Sequence, residues 1–125
     1  MKKYHFTRDG AYKFDLFGQL TGYAYNSAED HPDCCISYLE TSGGEHKLST
    51  CHTSDLFYYI IEGAGEFSVG GKIFKVNATD AVLVPRETEY GYSGKMKYVL
   101  FMTPSFTEGC ESRTDKSMYD KQFTP

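Results

Sequence analysis

Between residues 11 and 103, turn-forming residues return every eight to twelve positions, while helix start and stop signals are nearly missing. That spacing marks a β-sandwich or barrel, because each interval holds one short strand and one reversal. The strand candidates are 11–16, 18–25, 35–41, 46–52, 56–62, 65–69, 72–76, 81–84, 90–92 and 98–103. The clearest local element is a hairpin at Gly70-Gly71. GEFSV leads in, KIFKV leads out, and a Gly-Gly loop readily takes the positive φ such a turn needs.

Residues 56–62, LFYYIIE, are apolar on both alternating faces. A strand with one wet face alternates apolar with polar. This strand is therefore expected to be covered twice, inside by the barrel and outside by either the N-terminal strands or a partner subunit. A homodimer is the expectation, supported by the tyrosine-rich N-terminal region, since aromatic residues are enriched at interfaces. The alternative is that residues 4–25 fold over their own barrel.

A chain of 125 residues is about one domain's worth. Its 11 Tyr and 9 Phe, with no Trp, suit a β protein with a partly polar interior, because a buried tyrosine hydroxyl wants a partner. The net charge of −4 and the lack of a Lys/Arg cluster argue against a nucleic-acid partner. No apolar run approaches the roughly 18 residues of a membrane span, and nothing resembles a secretory signal. A cytoplasmic protein with a small-molecule ligand, no nucleic acid and no membrane is expected. Cys34, Cys35, Cys51 and Cys110 lack a CxxC pair and a secretory context, so they read as reduced and structural.

From Gly44 onward the chain resembles the cupin family. The first cupin motif runs G, five residues, HxH, three or four residues, E, six residues, G. Here Gly44 is followed by five residues, Thr50-Cys51-His52, three residues, Leu56, six residues and Gly63. In the second motif Thr79 takes the first glycine's place, Pro85 fits, Glu87 replaces the second glycine, Tyr90 stands at the last histidine and Gly94 at the asparagine. The run TDAVLVPRETEY keeps the family's aspartate and its strand ending in VP. The resemblance covers about residues 34–104 and implies an all-β cupin double-stranded β-helix, a single-domain jelly-roll barrel. Residues 1–33 would add strands packing on the barrel or on a partner, and 105–125 a polar tail with one short helical turn near 112–119.

A cupin metal is held by imidazoles and a carboxylate converging from neighbouring strands, and the period of two turns both residues of HxH into one lumen. Here Thr50 replaces the first histidine and Leu56 the glutamate, and a neutral tyrosine is a poor ligand. One histidine does not make a tight site, so neither metal nor cofactor is expected. Three ligands would assemble only if two further residues both joined His52: Asp55, swung inward by a β-bulge, and His46, which shares the face of Thr50 and His52 if the strand is regular.

Alternation along three strands gives an expected inward set of Leu48, Thr50, His52, Leu56, Tyr58, Tyr90 and Tyr92. Thr50, His52, Leu56, Tyr58, Tyr90 and Tyr92 are the ligand-binding candidates, and His52 and Tyr90 the catalytic ones. Histidine titrates near pH 6.5, which suits acid/base work. The alternative for the same residues is a hydrogen-bonded polar core. Three functions follow: a binder of a sugar-like or other small polar ligand, a metal-independent isomerase, epimerase or lyase on a carbohydrate-like substrate, or a metal-dependent cupin enzyme with a remodelled site.

Overall fold

Two long strands organise the molecule, and both bend. The computed structural model describes residues 3–120 and contains nine strands in chain order. They are β1 (Tyr12–Leu16), β2 (Leu20–Ala24), β3 (Cys35–Thr41), β4 (Glu45–Cys51), β5 (Asp55–Val69), β6 (Lys72–Asn77), β7 (Ala81–Val84), β8 (Glu89–Thr103) and β9 (Glu111–Arg113). β5 and β8 pair antiparallel along almost their whole length, from Asp55↔Thr103 to Val69↔Tyr90.

Each long strand serves two sheets. The first half of β5 also pairs with β7, and its second half with β6. The C-terminal half of β8 also pairs with β3, and its N-terminal half with β4. One sheet therefore runs β7-β5-β8-β3-β2-β1 and the other β6-β5-β8-β4-β9. Their inner faces enclose a core that includes Tyr58, Ile60, Phe67, Tyr92, Met96 and Tyr98. This is the cupin jelly-roll barrel.

Strand candidates 56–62 and 65–69 are one element, as are 90–92 and 98–103. Gly63 and Gly65 read as a turn because of their composition, but they mark the corner where β5 folds from one sheet into the other. Gly63 sits at φ 92°, and a Cβ on it would lie 2.2 Å from Lys95 O. Gly94, directly opposite Gly65, sits at φ 120°. The two backbones approach too closely for side chains, so the corner is built from glycine. Thr41 clasps it, with its hydroxyl bonded to Gly94 O and accepting from Met96 N–H.

The Gly70-Gly71 hairpin forms as expected, with both glycines at positive φ and Val69 opposite Lys72. The one short turn expected near 112–119 falls at the end of that stretch, at Met118–Tyr119, where Asp120 N–H donates to Ser117 O. Glu111–Arg113 is instead a short strand that pairs with Ser49–Cys51 and covers the edge of β4. Polar composition concealed it, because an edge strand of three residues has no room for a period. The four cysteines are free thiols.

Two glycine positions of the second cupin motif keep the glycine backbone without the glycine. Thr79 lies at φ 75° and Glu87 at φ 64°. For a β-branched threonine this conformation is costly. Thr79 N–H donates to Ile60 O at 2.7 Å and Glu87 N–H to Cys51 O at 2.8 Å, so surrounding strands impose the turn.

Candidate functional site

A cavity of about 640 Å³ opens between the two sheets. Its inner wall carries His46, Leu56, Tyr58, Tyr90 and Tyr92. Nearer the opening are Asp15, Asn26 and Asp30 from the N-terminal strands and loop, and Glu111 and Arg113 from β9. The structure thus brings four expected ligand-binding residues together: Leu56, Tyr58, Tyr90 and Tyr92.

Thr50 and His52 are not among the cavity residues, and their inward placement is corrected. On β4 His46 lies opposite Tyr92 and Ser49 opposite Tyr90, so Lys47 and Leu48 together face the single residue Gly91. This two-against-one bulge reverses the side-chain parity of everything after it. Gly91 makes it possible: a Cβ there would lie 2.9 Å from His46 O and 3.3 Å from Leu48 Cδ2. His46 therefore faces inward, while Thr50 lies opposite Glu89 and Ser112. Leu48 is buried as expected, but outside the main core cluster, where its backbone bonds Thr114 and Lys116.

His52 lies outside, its side chain 44% exposed. Its Nδ1 meets Glu87 Oε1 at 2.5 Å and its Nε2 meets Ser112 Oγ at 2.7 Å. It ties the end of β4 to the turn after β7 and to β9. Asp55 is likewise turned away and accepts from the Arg86 backbone N–H at 2.9 Å and from Arg86 Nε at 3.2 Å. These bonds hold its carboxyl below the usual carboxylate range.

His46 is only 3% exposed. Its ring packs 4.8 Å from Tyr92, 5.2 Å from Tyr90 and edge-on to Phe17. Nδ1 lies 2.8 Å from Lys47 O, and because a carbonyl only accepts, Nδ1 carries the hydrogen. Nε2 makes no hydrogen bond to a described residue. Burial pushes the imidazole pKa down, which keeps the ring neutral. The result is a fixed neutral histidine with one basic nitrogen to offer whatever enters the cavity.

The tyrosines form a chain behind it. The Tyr92 and Tyr98 hydroxyls are 2.5 Å apart, and Tyr90 OH donates to Glu111 Oε2 at 2.9 Å. Tyr58 packs between Tyr90 and Tyr92. Burial pushes all four hydroxyls well above the ordinary tyrosine pKa, so they stay protonated and can donate. Glu111 Oε1 also accepts from Arg113 Nε at 2.9 Å.

The metal that the fold implies does not fit these residues. The inner wall offers one imidazole and three protonated phenols, and the three carboxylates nearer the opening are engaged elsewhere, Glu111 with Arg113, Asp15 with the Thr21 hydroxyl and Asp30 with the Ser27 backbone N–H. No three His, Cys, Asp or Glu side chains gather to hold an ion among the described residues.

Neither a known family model nor a curated protein matches the chain. Solved structures do. Pac13, described as a unique nucleoside dehydratase, is 25% identical with a TM-score of 0.83, over 94% of this chain and 97% of that one. The Streptomyces protein has also been solved with uridine in variants that exchange a histidine for glutamine, or one or another tyrosine for phenylalanine. KdgF from Halomonas sp. is 15% identical (TM-score 0.73, over 85% of this chain and 97% of that one). An RmlC-like cupin from Shewanella frigidimarina is 19% identical (TM-score 0.70, over 84% and 96%). The last two likenesses concern the fold.

Proposed function

We propose that this chain, which belongs to the cupin superfamily, binds a small sugar-bearing molecule of the nucleoside kind and removes water from it without a metal. The observation that carries this reading is His46: buried, neutral, lining the cavity, held at Nδ1 by Lys47 O, with Nε2 bonded to no described residue. The likeness to Pac13 over nearly the full length of both chains supports it.

The chemistry follows from the residue types. Nε2 takes a proton from a carbon made acidic by a neighbouring carbonyl. The electron pair of that C–H bond becomes a C=C bond as the adjacent C–O bond breaks. The departing hydroxyl collects a proton from a tyrosine hydroxyl, and Tyr90 and Tyr92 are the tyrosines whose rings pack against His46. Water leaves, and His46 returns its proton to the tyrosinate. General acid/base groups of this kind contribute about 10²–10⁴-fold each. Tyr90 keeps the role expected of it, and His46 takes the place expected for His52.

Calorimetric titration with uridine, followed by incubation with nucleosides carrying a carbonyl beside an abstractable hydrogen, tests the reading. Binding together with a product lighter by one water supports it. Binding without turnover leaves the protein a small-molecule binder. If no nucleoside or sugar stabilises the fold, even well above the dissociation constants usual for metabolites, the proposal is lost.

A further inference from the structure

The outer face of the first sheet is as apolar as many interiors. The strand registers place Leu83, Phe57, Phe101 and Ile36 in one row across β7, β5, β8 and β3, each directly opposite the next. The adjacent row holds Ala81, Tyr59, Val99 and Tyr38. Phe57, Tyr59 and Leu83 are each about half exposed, at 48%, 47% and 51%. The side chains between them leave a shallow depression of about 280 Å³.

The described N-terminal residues do not cover this face. β1 and β2 continue the sheet beyond β3. Arg8 lies over Tyr23 and Tyr38 at 4.4 and 4.7 Å and caps only that end. No described residue of the chain therefore supplies the second layer expected over residues 56–62.

We propose that a second copy of this chain stacks on the face, sheet against sheet, with β5 near the two-fold axis. The size fits. A large side chain presents about 150–250 Å² when fully open, so the two rows with Ile61 offer roughly 600 Å². That is at the top of what a monomer leaves bare and most of the about 800 Å² per partner in a standard interface.

Charge fits as well. The whole chain carries −4, so two copies repel unless they meet on neutral ground. Ions at the rim are already paired within the chain, Asp55 with Arg86 at 3.2 Å and Glu62 with Lys97 at 3.6 Å. Outside those pairs this face carries Arg8, over Tyr23 and Tyr38, and a single arginine is too few for an acidic lipid surface. A flat, self-similar patch meeting its own copy satisfies the isologous geometry of a two-fold dimer.

Sedimentation equilibrium of the full chain at about 1–100 µM, where assembly depends on protomer concentration, should return twice the 14.2 kDa chain mass. Phe57→Asp should return the single-chain mass with the wild-type far-ultraviolet spectrum. A second readout needs no variant: hydroxyl-radical labelling of Phe57, Tyr59 and Phe101 should drop several-fold in concentrated wild-type protein relative to dilute protein. Single-chain mass at the highest wild-type concentration overturns the proposal. So does a dimer that survives Phe57→Asp, or one that leaves these three rings labelled as readily as in dilute protein; either assigns the assembly to another face.

Discussion

His46 and His52 stand six residues apart around one strand, yet one is sealed in the cavity and the other half-open at the surface. In a regular strand an even separation would put both on the same side. The bulge at Lys47-Leu48 opposite Gly91 separates them. Their partners differ accordingly. His46 has a carbonyl at one nitrogen and the cavity beside the other, so it keeps a base for a ligand. His52 spends both nitrogens on Glu87 and Ser112, so it serves as a clasp between segments. A histidine's place in a motif therefore says less about its chemistry than which of its nitrogens remains unspent.

The contrast breaks most sharply in activity. His46→Gln should lower turnover by about 10²–10⁴-fold, the range for loss of a general base, while His52→Gln should stay within about threefold of wild type, less than 1 kcal/mol by the rate arithmetic. Initial rates of dehydration check both, and equal losses would erase the distinction. Gly91→Val attacks its structural cause. The added side chain meets His46 O and Leu48, and overpacking of this sort costs about 1–3 kcal/mol. Urea denaturation reads that loss, and an unchanged midpoint would show that the bulge does not need a bare residue opposite it.

Acid sharpens the comparison further. Burial lowers the His46 pKa, so below about pH 6.5 the unfolded chain takes up a proton that the folded chain refuses until lower pH. Stability should fall as pH drops through that window, and His46→Gln should remove that part of the slope in paired denaturation curves near pH 5 and pH 7. The smallest expected effect lies away from both histidines. Thr79→Gly should raise stability by up to about 1 kcal/mol by relieving a β-branched residue at φ 75°, measured by thermal melting. A loss there would mean that the threonine side chain contributes more than its backbone strain costs.

Much of the fold was legible beforehand. The hairpin at Gly70-Gly71, strands β3 and β7, and the frame glycines Gly44 and Gly63 are local features with local causes. Gly63 is needed where β5 meets the Lys95 backbone, whereas at Gly44 a Cβ would meet the flexible Gln19 side chain. The site was legible in part. Leu56, Tyr58, Tyr90 and Tyr92 follow from plain alternation on strands that stay regular through those positions. His46 entered only as a route to a metal, because nothing in HKLST announces a bulge. Glu111 and Arg113 looked like tail, since a three-residue edge strand carries no period. The signal for the bulge beside His46 was present only in Gly91, a glycine between two tyrosines inside a strand, which is where a bulge or a close backbone approach is to be suspected.

By itself the sequence determined the β class, the positions of most reversals, the apolar double face of residues 56–62 and the loss of the metal ligands. These depend on residue type and short spacing, which the chain carries wherever it goes. Only the tertiary structure decided which histidine looks into the barrel, what pairs with Glu111 and which side of β5 is left bare. Each of those depends on register against a distant strand, and a shift of one residue there turns every following side chain to the opposite face.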